Sequence, residues 1–125
     1  MGNFWLMMLI CYLITIAIET PILCIGLSPQ HPLSRRILAG IWLTACTYPF
    51  VWLVAPVWFH PVNERVLYLV VAESIAHVGE CLLFYLAFRP LHNFWRDMAA
   101  VFCANLASFG LGEAVNYLLV DMMER

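Results

Sequence analysis

No lysine occurs in this chain, and charge of either sign is scarce: six arginines and eight acidic residues among 125. The net charge of −2 and the lack of any basic arm or patch exclude a nucleic-acid partner, which would need clustered cations to neutralise phosphates. There is no C-x-x-C, and the five cysteines (Cys11, Cys24, Cys46, Cys81, Cys103) all fall within apolar runs. They read as buried thiols rather than a secreted disulfide framework or a zinc site. No internal repeat or low-complexity linker divides the chain, so residues 1–125 are expected to form one domain. No serine or cysteine nucleophile constellation points to an enzyme. The Gly110-x-Gly112 pair lacks the strand and phosphate-loop context that nucleotide binding requires.

What the chain has in excess is apolar surface. Hydrophobic residues make up 64% of the sequence and the mean hydropathy is +0.86. A soluble fold of this size could not bury so much. Four apolar segments, at about 4–27, 34–59, 64–88 and 94–122, each come near the ~20 residues that ~30 Å of hydrocarbon demands. The fold class expected is therefore all-α: a polytopic membrane protein with an antiparallel four-helix bundle embedded in a lipid bilayer. Pro29 and Pro32 end the first segment, Ser34 is an N-cap candidate for the second, and Pro49 and Pro56 lie inside it. The first segment lacks a basic leader and a small-residue cleavage site, and reads as a retained helix.

Arginine counting gives the orientation. Arg35, Arg36, Arg89 and Arg96 flank the first and third links, whereas Arg65 and Arg125 lie on the opposite side. Both chain ends are then expected outside the cytoplasm of a bacterial inner membrane. Trp5, Trp52, Trp58 and Trp95 lie near segment ends, as headgroup-level rings do.

Polar side chains at membrane depth are the informative part. Glu73, His77 and Glu80 follow one another at i, i+4 and i+7, within an arc of roughly 60° on one helix face. Each ionisable group there costs at least ~2.5–3.5 kcal/mol, so each needs a partner, a proton or water. Glu19 sits with Tyr12 and Thr15 on the first segment, Thr44, Thr47 and Tyr48 on the second, and Asn105, Ser108, Gly112, Glu113 and Asn116 on the fourth. Polar faces on all four helices should turn toward one another. Glu19 and Glu80 each lie eight residues before the arginine-bearing end of their helix, about 12 Å inside it. Glu73 and Glu113 occupy a second level, with His77 and Asn105 between. Two carboxyls close together at depth cannot both ionise cheaply, which suits a proton relay or a site that trades protons for a cation.

Two further chemistries fit the same residues. Glu73, His77 and Glu80 have spacings able to grip a divalent metal, although His77-x-x-Glu80 reverses the Glu-x-x-His order of di-iron bundles. Haem is disfavoured, since His77 is the one histidine at depth, with His31, His60 and His92 in links. The ion-binding set expected is Glu19, Tyr48, Glu73, His77, Glu80, Asn105 and Glu113.

Glu19-x-Pro21, Thr47-Tyr48-Pro49, the paired acids of the third segment and Asn105-x-x-Ser108 together resemble the motifs of a group of uncharacterised small four-helix bacterial integral membrane proteins. There the second motif often reads T-H-P, so Tyr48 departs from it and weakens a histidine-based role at that position. The resemblance implies a fold and no activity. In size and helix count the chain is also similar to small multidrug-resistance exporters, which use a first-helix glutamate. Glu19 lies later in its helix, and the likeness is one of architecture. The expected function is an inner-membrane transporter or channel-like protein for protons, a metal ion or a small cation, working as a homodimer or larger assembly. The rival expectation is an accessory subunit of a larger membrane complex, associated with a pigment or cofactor.

Overall fold

The computed structural model describes residues 2–123, and Arg125, counted above for orientation, lies outside them. Four long helices account for nearly all of the chain: α1 (Gly2–Gly26), α2 (Leu33–Trp58), α3 (Arg65–Ala87) and α4 (Phe94–Met123). All four are long and apolar enough to cross a membrane. The links are short, so consecutive helices run antiparallel. Each packs on its neighbours in sequence, and α1 against α4 closes the ring. The helices fall within one or two residues of the expected bounds, because length and proline punctuation dictate them. Ser34 is not the N-cap: Pro32 occupies that position with extended backbone, and Ser34 lies inside the first turn of α2.

The two prolines of α2 have a specific consequence. Between Leu33–Pro49 and Ala55–Trp58 the helix widens into a π-helical turn, Phe50–Val54. Ala55 N–H bonds the carbonyl of Phe50, five residues back. The carbonyl of Val51 would then need an N–H at residue 56, which is proline and has none. Tyr68 of α3 supplies the missing donor, its hydroxyl 3.2 Å from the Val51 oxygen. In lipid such a backbone group cannot be left to solvent.

Apolar packing concentrates toward the arginine-bearing end. Leu23 and Leu27 meet Ala39 and Leu43 of α2, Phe84 with Phe88 at the end of α3, and Ala100, Val101 and Ala104 of α4. The Phe84 and Phe88 rings stack at 4.9 Å. α1 and α2 cross closely where Gly40 faces Thr20: a Cβ at Gly40 would lie 2.9 Å from the Thr20 Cα. Outward, large side chains such as Leu13, Val78, Leu82 and Leu106 are exposed on the bundle surface, as a lipid-facing surface requires.

The arginines do more than count. α1 has no basic residue in its last turn, yet its final carbonyls are capped from other elements. Arg36 donates to the carbonyls of Cys24 (2.6 Å), His31 (2.8 Å) and Pro29 (3.1 Å). Arg96 donates to that of Gly26 at 2.9 Å. Cations at a helix C-terminus meet the negative end of its dipole as well as its unpaired carbonyls.

Candidate functional site

Midway through the bundle, one polar layer draws on every helix. Glu19 of α1 and Glu80 of α3 are only 2% and 3% exposed. Thr44 of α2 donates to Glu19 Oε2 at 2.8 Å, and Ser108 of α4 donates to Glu19 Oε1. Thr47 of α2 donates to Glu80 Oε1 at 2.6 Å, and Asn105 of α4 donates to Glu80 Oε2 at 2.7 Å. The spacing explains the arrangement: Thr44 and Thr47 are three apart, as are Asn105 and Ser108, so each pair shares a helix face and reaches both acids. All four carboxylate oxygens are thus bonded, and every donor is neutral. Among the described residues no arginine or histidine pairs with Glu19 or Glu80.

Above this layer the helices part. A cavity of about 590 Å³ has Glu19, Glu80, Thr44, Thr47, Asn105 and Ser108 at its base. Its walls rise past Tyr48, Tyr68 and Glu73 to Arg65, Glu113 and Asn116 at the end that carries the chain termini. It stops at the layer, because Leu23, Leu43, Phe84 and Val101 are fully packed beneath it. The result is a well closed at the arginine-bearing end, with acids at its base and mouth and apolar side chains such as Ile18, Leu69 and Phe109 between them.

The other expected site residues are placed unequally. Glu73 is half-buried in the cavity wall. Tyr48 lines the same cavity, its ring against Tyr12 at 5.6 Å and Trp52 at 5.9 Å. Trp52 is therefore a cavity residue of the π-helical turn, not a headgroup anchor; Trp5, Trp58 and Trp95 are exposed near helix ends. Glu113 lies at the mouth, paired with Arg65 at 2.6 Å, and is about a third exposed. His77 donates through Nδ1 to the carbonyl of Glu73 at 2.7 Å, and its ring meets Phe102 at 5.1 Å. It stands beside the cavity rather than in its wall.

Glu73, His77 and Glu80, the residues expected to grip a metal, lie on one stripe of α3 without converging. Among the described residues no three His, Cys, Asp or Glu side chains converge as a metal site would need. The cause is local. Both Glu80 oxygens are occupied by Thr47 and Asn105, while His77 Nδ1 turns back onto its own helix and stays 3.9 Å from the Glu73 carboxylate. Helical spacing put the three on one stripe without making them converge.

Comparison with protein-family models, with curated proteins and with solved structures returns no match. The site must therefore be read from its own geometry.

One cluster escaped the sequence reading. Asp97, fully buried in the first turns of α4, accepts from Ser28 N (2.8 Å), Ser28 Oγ (2.7 Å) and His31 Nε2 (3.1 Å). His31 itself is 2% exposed, flanked by the rings of Phe84 and His92. The composition suggests a Ser-His-Asp nucleophile, but the order is wrong. The serine hydroxyl points at the carboxylate rather than at an imidazole, so nothing activates it. The cluster instead ties the α1–α2 link onto α4 and seals the arginine-bearing end. An acid just inside a helix start, opposite a polar proline-bounded link, was the available signal; that the two meet across 69 residues was not.

Proposed function

We propose that this chain is a small membrane transporter or channel-like protein that handles protons or a small cation through the Glu19–Glu80 layer. One observation carries the reading: two carboxyls, buried at the base of a cavity reaching one end of the bundle, have only neutral partners. Two uncompensated negative charges at that depth are costly, and a proton or cation taken up from the cavity removes the cost. Glu73 at the wall and the Arg65–Glu113 pair at the mouth would shape the approach. Placing the arginine-bearing end in the cytoplasm of a bacterial inner membrane makes the cavity face outward. Passage to the other side would then require the seal around Asp97 to open. Four helices make a thin wall, and a homodimer would complete it; on α4, Gly110 leaves open space for close approach of a second helix.

Proton-coupled flux in proteoliposomes tests the reading. Glu19→Gln and Glu80→Gln keep size and hydrogen-bonding capacity while removing the charge, and each is expected to abolish flux. Undiminished flux in both variants would remove the idea.

A second reading is favoured by the completeness of the same hydrogen bonds. A layer with every carboxylate oxygen satisfied could serve as interhelical glue in an accessory subunit of a larger membrane complex. Purification in mild detergent separates the two. A stoichiometric heterologous partner supports the subunit, and a lone homodimer supports the transporter.

A further inference from the structure

We infer that the species held by the Glu19–Glu80 layer is the proton itself, and that three hydroxyl groups accommodate it by reversing their hydrogen bonds. The inference takes its purpose from the transport reading, but its chemistry stands on the layer alone.

Each hydroxyl has one proton and two acceptors within reach. Thr44 Oγ1 lies 2.8 Å from Glu19 Oε2 and 2.9 Å from the carbonyl of Gly40. Thr47 Oγ1 lies 2.6 Å from Glu80 Oε1 and 3.2 Å from the carbonyl of Leu43. Ser108 Oγ meets Glu19 Oε1 and lies 3.0 Å from the carbonyl of Asn105. With an ionised carboxylate, the hydroxyl donates to it. When the carboxylate takes a proton from a hydronium ion arriving through the cavity, leaving neutral water, the new carboxyl O–H donates to the hydroxyl oxygen, and the hydroxyl turns its own proton to the helix carbonyl. One proton is gained and the charge goes from −1 to neutral. Each bond lost is replaced by another, and only hydrogen atoms need move. In a lipid-shielded interior, where an unmatched polar group is expensive, a site satisfied in both protonation states is what reversible proton binding requires.

Asn105 breaks the symmetry. Its amide nitrogen can donate but not accept, so Glu80 Oε2 remains an acceptor in both states. The proton on Glu80 therefore belongs on Oε1, facing Thr47, whereas Glu19 can take it on either oxygen.

Other cations fit less well, because binding one would strip protein donors from oxygens that are already engaged. α1 and α2 bring no basic group to the layer. α3 brings Glu73, with His77 beside the cavity, and α4 brings Glu113. The one arginine in the cavity wall, Arg65, is spent on Glu113.

Infrared difference spectroscopy of the full chain in lipid vesicles, titrated with pH, reads the site without any need for flux. A carboxylic-acid C=O stretch is expected to grow as pH falls, to lose a distinct component in Glu19→Gln and another in Glu80→Gln, and to keep in the double variant only the part due to the remaining acids such as Glu73. Thr47→Val, which removes the hydroxyl, should shift the Glu80 part of the band, and Thr47→Ser should return it to its original position. A titrating band unmoved by Thr47→Val and Thr44→Val would overturn the hydroxyl reversal. No component that depends on Glu19 or Glu80, together with wild-type carboxylate stretches perturbed by sodium or guanidinium, would overturn the proton as the bound species. A normal band with no flux in proteoliposomes would support proton binding and count against transport instead, so the two readings fail separately.

Discussion

At the arginine-bearing end, Leu23, Leu43, Phe84 and Val101 fill the interior, and Asp97 gathers three donors from the α1–α2 link. At the end carrying the chain termini, the same four helices enclose about 590 Å³, where Glu19, Glu73, Glu80, Tyr48 and Tyr68 share the wall with apolar side chains such as Ile18, Leu69 and Phe109. What differs is the residue facing the axis. Small residues (Ala39, Ala100, Ala104) interleave with large ones in the first half and let the helices close. In the second, above the Glu19–Glu80 layer, Tyr48, Tyr68 and the π-helical turn border an open space instead of closing it. A bundle can thus be a packed plug at one end and a vessel at the other without any change of fold.

Truncation is the strongest way to break the contrast. Phe84→Ala, in the packed half, is expected to cost about 3–5 kcal/mol, whereas Leu111→Ala, beside the cavity and 52% exposed, should stay within about 0.5 kcal/mol. Reversible unfolding in mixed micelles would measure both, and equal losses would contradict the division. Enlarging a glycine makes a second pair. Gly40→Ala drives a methyl against the Thr20 backbone and should cost about 1–3 kcal/mol. Gly110→Ala meets nothing and should gain a few tenths to about 1 kcal/mol from helix propensity.

The layer between the halves should respond more gently. Thr44→Val leaves Glu19 one donor short and is expected to cost about 0.6–1.7 kcal/mol, the range of interhelical hydrogen bonds in membranes. The smallest structural disturbance comes from chemical labelling in single-cysteine variants. Cys11 lines the cavity and Cys24 lies in the packed half. A small cationic thiol reagent should label Cys11 faster than a neutral one of equal size, since a well with acids at its base and mouth concentrates cations. Cys24 should show little labelling by either. Equal labelling of the two would mean that the seal around Asp97 is open.

Much of this was legible from residue order, and the exceptions have a common cause. The equal depth of Glu19 and Glu80 followed from counting residues to the helix ends, since α1 and α3 point the same way at 1.5 Å per residue. That each acid would find a hydroxyl on α2 and a second donor on α4 was not countable, because it depends on how far each helix rotates about its axis. The same freedom explains why the stripe on α3 does not converge. Glu73, His77 and Glu80 share a stripe, but His77 satisfies its ring nitrogen on the carbonyl one turn back. Tyr68, whose hydroxyl completes the π-helical turn, gave no sequence signal, since the vacancy it fills arises from Pro56 on another helix.

By itself, then, the sequence determined four spans, their bounds and the burial of acids among them. Local rules suffice for these: apolar length, proline's missing N–H and helical periodicity act within a few turns of one chain segment. Only the tertiary structure decided which end closed, which arginines capped α1, and that Glu19 and Glu80 would meet hydroxyls rather than cations. Those outcomes turn on helix rotation and interhelical distance, where a shift of one ångström makes or loses a hydrogen bond, and no single segment encodes either quantity.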